Sequence, residues 1–514
     1  MSVTNAKKKK RKAIKKLSFY TYLIYAILTV ILFFVIKGLG IFPSKYLNVI
    51  LVIFALGLFI WGFIALMPKI KSNLKKLQAL VCILLSILSV VCCILFPSYG
   101  GKIAKAFVKI PDEGNMNIDV YVLSDSSYSS IEDLAGKKVG LQTKVDLDYQ
   151  NYAVKVVNKE IEGNDINVVQ YSDIYELVDK LYSGEVDAIL LNEDYAKIVA
   201  DNPDYKDFTE KCKSLYVCTQ KITLTSSTSG VSSITTQPFI IAISGNDEWD
   251  YSSIDPTNRG RTDVNMVAVV NPVTKQVLIV TIPRDSYVYL PSRGYDKLTH
   301  ASLYGIDCWT DALKTILNLN EINYYFRVNF QSVVTIVDAI GGVDVDNPYY
   351  FTSSYCLRWN EEKQTAYAET QEYQEGKIHL DGPGALGYVR ERYSLPDGDI
   401  GRNKHQAIFL KACIDKLCSV QTITNISKLL DALQGTFITD LDYNDDILPL
   451  AQMQLNDMAD WTITTYSITG YGDYRQCYSL DSDEYSVEIL YDDSVTTAIN
   501  YIQQILKGET ITEN

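Results

Sequence analysis

The sequence predicts a layered α/β domain with a central mixed sheet, joined to a smaller α/β domain and preceded by three transmembrane helices. Three observations carry this reading. Up to Lys76 there are fourteen Lys or Arg and no Asp or Glu, which leaves 34 basic residues against all 61 acidic ones, a formal net charge of −27 for the rest. Three long apolar runs lie in or border the basic part. Beyond them, short strand-like runs alternate with helical stretches on either side of a Ser/Thr-rich segment, the pattern of layered α/β units.

Residues 1–18 form a basic leader containing KKKKRKAIKK, and residues 19–96 hold the runs Phe19–Ile36, Tyr46–Met67 and Leu77–Phe96. Each run approaches the roughly 20 residues that a helix needs to cross a hydrocarbon core. Lys69, Lys71, Lys75 and Lys76 fill the turn between the second and third runs, whereas only Lys37 and Lys45 flank the first turn. The positive-inside bias then puts the N-terminus and the second turn in the cytoplasm, and everything after Phe96 outside a multi-pass cell-membrane anchor. A cleaved signal peptide fits less well, because the first run is long, lacks a small-x-small site before Lys37 and precedes two more spans. The leader therefore reads as a topology determinant rather than a nucleic-acid arm, and no nucleic-acid partner is expected of the acidic remainder.

Seven cysteines lie past the membrane segments, Cys212, Cys218, Cys308, Cys356, Cys413, Cys418 and Cys477, with no CxxC pair and three histidines in the whole chain. That inventory argues against a zinc site and leaves at least one thiol unpaired within the chain. Residues 97–222 make an extracytoplasmic accessory α/β domain, in which IDVYVLS and VDAILL read as strands and DIYELVDKLYSG as a helix. Its words SSIEDLAGKKVGLQT and LVDKLYSGEVDAIL resemble one lobe of extracellular solute-binding domains. No charged constellation there suggests a ligand, so a spacer or interaction role comes first. Residues 223–236, TLTSSTSGVSSITT, read as a solvated linker.

In residues 237–514, FIIAIS reads as a buried strand and VNMVAVVNPVTKQVLIVTIP as two strands around an NPVT turn. WTDALKTILNL and NFQSVVTIVDAI have helical periodicity, while FRVNF and LGYVRERY read as strands. Further helices are expected over residues 402–418, 426–433 and 495–506. Five separated segments, SGND, RGRTD, IPRDS, YVRER and GDIGRNKHQ, place Asp247, Arg261, Asp263, Arg284, Asp285, Arg390, Arg392, Asp399, Arg402 and Gln406 near element ends, where α/β folds build their sites. Arginine's planar fork binds phosphate oxygens through parallel charge-assisted bonds, so arginines converging in an acidic chain point to a multiply charged anion. On a strand Arg390 and Arg392 would share a face, and Arg402 and Gln406 share one on a helix. His300 reads as a packing or hydrogen-bonding residue rather than a base.

The order of these words resembles the LytR-CpsA-Psr family of cell-wall phosphotransferases, whose pattern stands here as GND, RTD, IPRDS, YDKLTHA, AIGGVDVDNP, LDGPGALGYVRER and GDIGRNKHQ, over about Phe239 to Ile414. The resemblance implies an α/β/α domain that buries a polyprenyl chain in an apolar pocket and holds its pyrophosphate at the mouth. It implies Mg2+ on Asp247 and Asp263, with Arg261, Arg284, Lys297, Arg390, Arg392, Arg402 and Gln406 gripping the phosphates. Asp263, Arg261, Arg284, Arg390 and Arg392 would carry catalysis. The implied reaction moves a phosphorylated glycan polymer, such as teichoic acid, capsular or other wall polysaccharide, from polyprenyl pyrophosphate to peptidoglycan, with lipid pyrophosphatase activity as a side reaction. A binding or sensing protein for the same lipid-linked precursors is the alternative. His405 departs from the family, which commonly carries arginine there, and so puts one phosphate contact in doubt. The general base stays open between Asp263 and Asp285.

Overall fold

A computed structural model describes residues 2–40, 42–106, 113–161, 163–224, 228–246, 259–291, 293–360, 365–417, 435–480 and 484–511. Three helices, Ser2–Gly38, Ser44–Leu66 and Ser72–Ala106, open the chain, and each contains a stretch long and apolar enough to cross a membrane. The first helix packs along the third, where Ser18 Oγ donates to Gln78 Oε1 (2.5 Å).

The accessory domain is a five-stranded mixed sheet in the order Asn167–Tyr171, Lys138–Gln142, Ala188–Asn192, Glu113–Leu123, Cys212–Thr223. Its helix Ile174–Tyr182 starts at Asp173, whose carboxylate accepts from Glu176 N (2.8 Å), and buries Ile174, Leu177, Val178 and Leu181 on one face. That face joins a hydrophobic core that continues into the second domain without a break, through Tyr195, Phe208, Ile240, Val267 and Trp309. A polar joint reinforces it: the Tyr195 and Tyr304 hydroxyls lie 2.8 Å apart, and the Arg293 guanidinium sits 4.1 Å above the Tyr304 ring. The accessory domain is thus packed onto its neighbour. Residues 228–236, expected to be a solvated linker, are bound to the second domain as well. Gly230 N donates to Asn323 O (3.0 Å), Val231 N donates to the Tyr324 hydroxyl (3.3 Å), and Ile234 is buried. Pairing of the backbone and burial of one isoleucine outweigh the polar composition of that stretch.

The second domain is built on a six-stranded mixed sheet in the order Phe437–Thr439, Tyr324–Asn329, Phe239–Asn246, Thr262–Asn271, Gln276–Thr281, Thr462–Ser467. Thr262–Asn271 and Gln276–Thr281 form the expected antiparallel pair. Alternation along these strands sends Ile240, Ala242, Val267, Val269, Leu278 and Val280 to one face, which the helices Ile306–Leu317 and Asp492–Lys507 close. Trp309 is buried there and its Nε1 donates to Asn265 Oδ1 (2.7 Å). Trp309→Ala is expected to cost about 3–5 kcal/mol, read as a lowered melting temperature of the detergent-solubilised chain. The opposite face is covered less completely. Leu410 and Ile414 of the helix Gly398–Leu417 pack on it, yet Ile241, Ile243, Val264, Val270, Phe326 and Val328 stay partly exposed. The helix expected over 426–433 lies outside the described residues.

The word YVRER is not a strand. Helix Gly382–Arg390 runs through it, capped by Asp381, whose side chain accepts from Gly384 N (2.8 Å), with proline in the first turn. At the helix end Glu391 turns extended (φ −62°, ψ 136°), so the chain leaves the helix between the two arginines. Gly387 lets this helix approach the neighbouring hairpin: a Cβ there would stand 2.4 Å from Cys356 Sγ.

Candidate functional site

The central sheet, helix Gly382–Arg390 and helix Gly398–Leu417 converge on a cleft of about 360 Å³. Arg261, Asp263, Arg284, Arg390, Arg392, Arg402 and Gln406 all line it, so seven of the residues singled out in the sequence come together in one place. Asp247 lies outside the described residues. Lys297 stands behind the cleft and reaches Asp285 (3.4 Å) rather than the opening.

Each side chain arrives by a local structural cause. Gly245, next to last in the strand Phe239–Asn246, lines the cleft, and a Cβ there would sit 2.8 Å from Val264 Cγ2 and force that side chain to shift. Arg261 immediately precedes the next strand, and Asp263 falls at the bulge between Thr262, which pairs with Asn246, and Val264, which pairs with Gly245. After Gln276–Thr281 the chain turns at Pro283, whose carbonyl accepts from Ser286 Oγ (2.6 Å), and the turn presents Arg284. Arg284 then pairs with Asp263. Gln406 Nε2 donates to Val389 O (3.1 Å), tying the long helix to the shorter one that delivers Arg390.

Cationic and apolar side chains line the cleft together. Among the described lining residues are five arginines and a single carboxylate, Asp263, together with Val264, Val328, Phe330, Val333 and Val389. Such a set of forks favours a ligand with at least two negative charges, and the apolar side chains beside them suit a hydrocarbon attached to it. The Arg390 guanidinium lies 4.1 Å above the Phe330 ring and 4.8 Å from that of Tyr355, which fixes its plane. Arg402 is buried, pairs with Asp399, and its Nε has no hydrogen-bond partner.

A layer of acids lies behind these cations. Burial acts to raise the Asp285 carboxyl, but Arg284, Lys297, His300 and Arg402 overcome it and hold the group below the usual carboxylate range. Asp399 goes the other way, raised by burial and by Asp285 against the pull of Arg402. Glu488, from the hairpin Gly470–Gln476/Glu484–Leu490, is pushed up to about 7 by burial and by Asp399 and Asp285, and its Oε1 is buried without a partner. Because the folded-state value exceeds the unfolded one of about 4.3, the protonated form is favoured by folding. Its stabilising contribution is complete below pH ~4.3 and is lost as pH rises through about 7. Glu488→Gln should flatten that part of the profile of melting temperature against pH and raise stability above pH 7.

His405 is not among the residues that line the cleft. It is fully buried, stacks on Tyr388 (4.4 Å between ring centroids) and lies 4.8 Å from Phe351, and burial lowers it to about 4, so it is neutral at pH 7. His300 is a structural residue: Nδ1 meets Asp296 Oδ1 (2.8 Å) and Ser479 Oγ (3.0 Å) inside the protein. A carboxylate does orient it, which the sequence did not reveal, but the pair braces the loop before helix Ile306–Leu317 and does not line the cleft.

The sequence reading missed Phe330, Tyr355, Asn329 and Glu488. Asn329 had a signal, since its side chain accepts from Ser332 N (2.8 Å) in a capping box spelled out by NFQS. Tyr355 and Glu488 come from hairpins with no motif of their own.

Among the described residues no group of three or more His, Cys, Asp or Glu is arranged to hold a metal. Magnesium does not require one, since it is commonly held by one or two carboxylates together with substrate phosphates and water. Asp263 at the cleft wall fits that requirement.

The chain can now be set beside known proteins. The polyisoprenyl-teichoic acid–peptidoglycan teichoic acid transferase TagU of Enterococcus faecalis is 34% identical over 211 residues, covering 41% of this chain and 63% of that protein. That of Oceanobacillus iheyensis is 33% identical over 224 residues, 42% of this chain and 63% of that protein. The chain thus spans less than two thirds of the length of these relatives. Among solved structures, B. subtilis TagV is 26% identical with a TM-score of 0.41, covering 54% of this chain and 99% of that one. With residues 208–492 matching the family's pattern, the segment that carries the cleft and its arginines, this chain belongs to the LytR_cpsA_psr family.

Proposed function

We propose that the chain is a membrane-anchored phosphotransferase that moves a phosphorylated glycan polymer from a polyprenyl pyrophosphate carrier to peptidoglycan on the outer side of the cytoplasmic membrane. The observation that carries this reading is the meeting of five arginines with apolar side chains in one cleft. The activity printed in the names of the TagU relatives supports a teichoic acid as the polymer class.

In the proposed step an acceptor hydroxyl oxygen bonds to the sugar-linked phosphorus. The bond from that phosphorus to the bridging oxygen breaks, and polyprenyl phosphate departs with the electron pair. Arg261, Arg392 and Arg402, which line the cleft, would neutralise charge on the phosphate oxygens, where such transition states need it. Arg390, held between two rings, orients the group. Asp263, with Asp247, would hold Mg2+, which supplies further neutralisation of the phosphates. Asp285 is a poor base, because its cationic neighbours stabilise the ionised form. The hydroxyl proton therefore leaves to solvent or to phosphate oxygen as the bond forms.

The test is release of polyprenyl monophosphate by the purified chain from a lipid-linked polymer, with and without magnesium. Magnesium-dependent release and attachment of polymer to peptidoglycan are the expected results. Tight lipid binding with no release would leave the binding or sensing role instead. The topology is checked separately: in intact protoplasts, external protease should degrade the part after Phe96 and spare the lysine-rich leader.

A further inference from the structure

The helix Leu448–Asp457 differs from the other helices of its domain. It carries no charged residue before Asp457, and none of its side chains is fully buried. Met458 at its C-cap and Val273 in the adjacent NPVT turn are 67% and 65% exposed. In a strongly acidic domain this uncharged, half-open surface calls for a cover.

Its position says what the cover is. The Tyr46 hydroxyl donates to Leu455 O (2.8 Å), Lys45 Nζ to Asn456 O, and Gln452 Nε2 to Gly40 O. Gly40 lies in the turn between the first apolar helix, which ends at Gly38, and the second, which begins at Ser44, and Lys45 and Tyr46 are in the first turn of the second helix. Two membrane-crossing helices reach the water boundary there, so the helix bonded to that turn lies at the same boundary. The rim has matching chemistry. Trp461 Nε1 donates to Gln454 Oε1 (2.8 Å), and Lys275 Nζ lies 5.4 Å from the Trp461 ring while pairing with Asp457 (2.7 Å), which neutralises the helix's one acid. Tryptophan and lysine at the edge of an apolar surface suit the headgroup layer.

We propose that Leu448–Met458, together with Val273, is an interfacial seat that inserts into the lipid leaflet on the catalytic domain's side of the membrane. The seat also sets the height of the cleft. The ten-residue strand Thr262–Asn271 begins beside Arg261 and ends next to the seat. At ~3.3 Å per residue, the arginines stand about 30 Å along the sheet from the lipid surface.

The experiment needs no substrate, so its outcome is independent of the proposed catalysis. The full chain, carrying a benzophenone amino acid at Met453, Met458 or Val273, is reconstituted in phosphatidylglycerol/phosphatidylethanolamine liposomes, irradiated and analysed by mass spectrometry. Controls carry the probe at Tyr367 and Tyr474, exposed positions elsewhere in the domain. Phospholipid adducts at the three seat positions and none at the controls are expected. Equal adduct yields at seat and control positions, or adducts to another protein chain at the seat, would overturn the proposal. In a Met453→Asp, Met458→Asp background, substitutions at half-open or exposed sites that leave the core intact, the adduct at Val273 should disappear. Its persistence would likewise overturn the proposal.

Discussion

Asp263→Ala is expected to lower magnesium-dependent turnover by on the order of 10²–10³, the scale on which loss of one charge-stabilising group acts, while leaving lipid uptake nearly intact. The tail accounts for the second half of this expectation, because each buried methylene contributes roughly 0.8 kcal/mol whatever happens at the phosphates. Asp263 is also the partner of Arg284, so the alanine variant releases that guanidinium as well as removing the carboxylate. Asp263→Asn separates the two roles. The amide oxygen can still accept from Arg284, but it is a weaker ligand for a hard cation. If the metal role dominates, the asparagine variant falls nearly as far as alanine, and raising magnesium restores part of its activity. If holding Arg284 dominates, asparagine keeps most of the turnover and magnesium concentration has little effect. Monophosphate release and co-purified lipid, measured on the same preparations, distinguish these results.

The site was legible in the sequence because its chemistry sits at element ends, where short words with polar residues interrupt strongly apolar runs. RTD, PRD and GDIGRNKHQ each mark such an end, and the structure brings their arginines to one cleft. YVRER led to two arginines that line the cleft, but through the wrong element. The i, i+2 spacing suggested a strand, although Asp381 and Pro383 just upstream are helix-start signals. Arg390 and Arg392 still meet because the helix ends between them, something periodicity does not encode. The docking of the accessory domain was not legible either. The apolar face of Ile174–Tyr182 looks the same in sequence whether it covers its own sheet or a neighbour's, and the Tyr195–Tyr304 contact joins residues 109 apart. The acidic layer behind the cleft stayed hidden for a related reason: Glu488 acquires its raised pKa from burial and from Asp399 and Asp285, which are distant in the chain.

Arg392→Ala should weaken both lipid retention and turnover, in contrast to Asp263→Ala. Arg392 lines the cleft, and in the proposed reaction its guanidinium would meet the phosphates before and during transfer. An interaction made in both states contributes to ground-state affinity as well as to the barrier. Charge-assisted hydrogen bonds contribute about 1.5–3 kcal/mol each, so one lost contact lowers affinity by roughly 10- to 100-fold. Within the protein Arg392 bonds the neighbouring Tyr393 hydroxyl (2.5 Å) and stacks on its exposed ring, so its removal leaves no buried charge unpaired and the fold should be unaffected. Arg392→Lys keeps the charge and loses the planar fork. If the arginine acts as a point charge, lysine restores retention and turnover alike. If bidentate geometry matters, lysine restores retention more than turnover, because alignment counts most as the phosphorus changes partners. Wild-type turnover in both Arg392→Ala and Asp263→Ala would remove the catalytic reading and leave a binding protein.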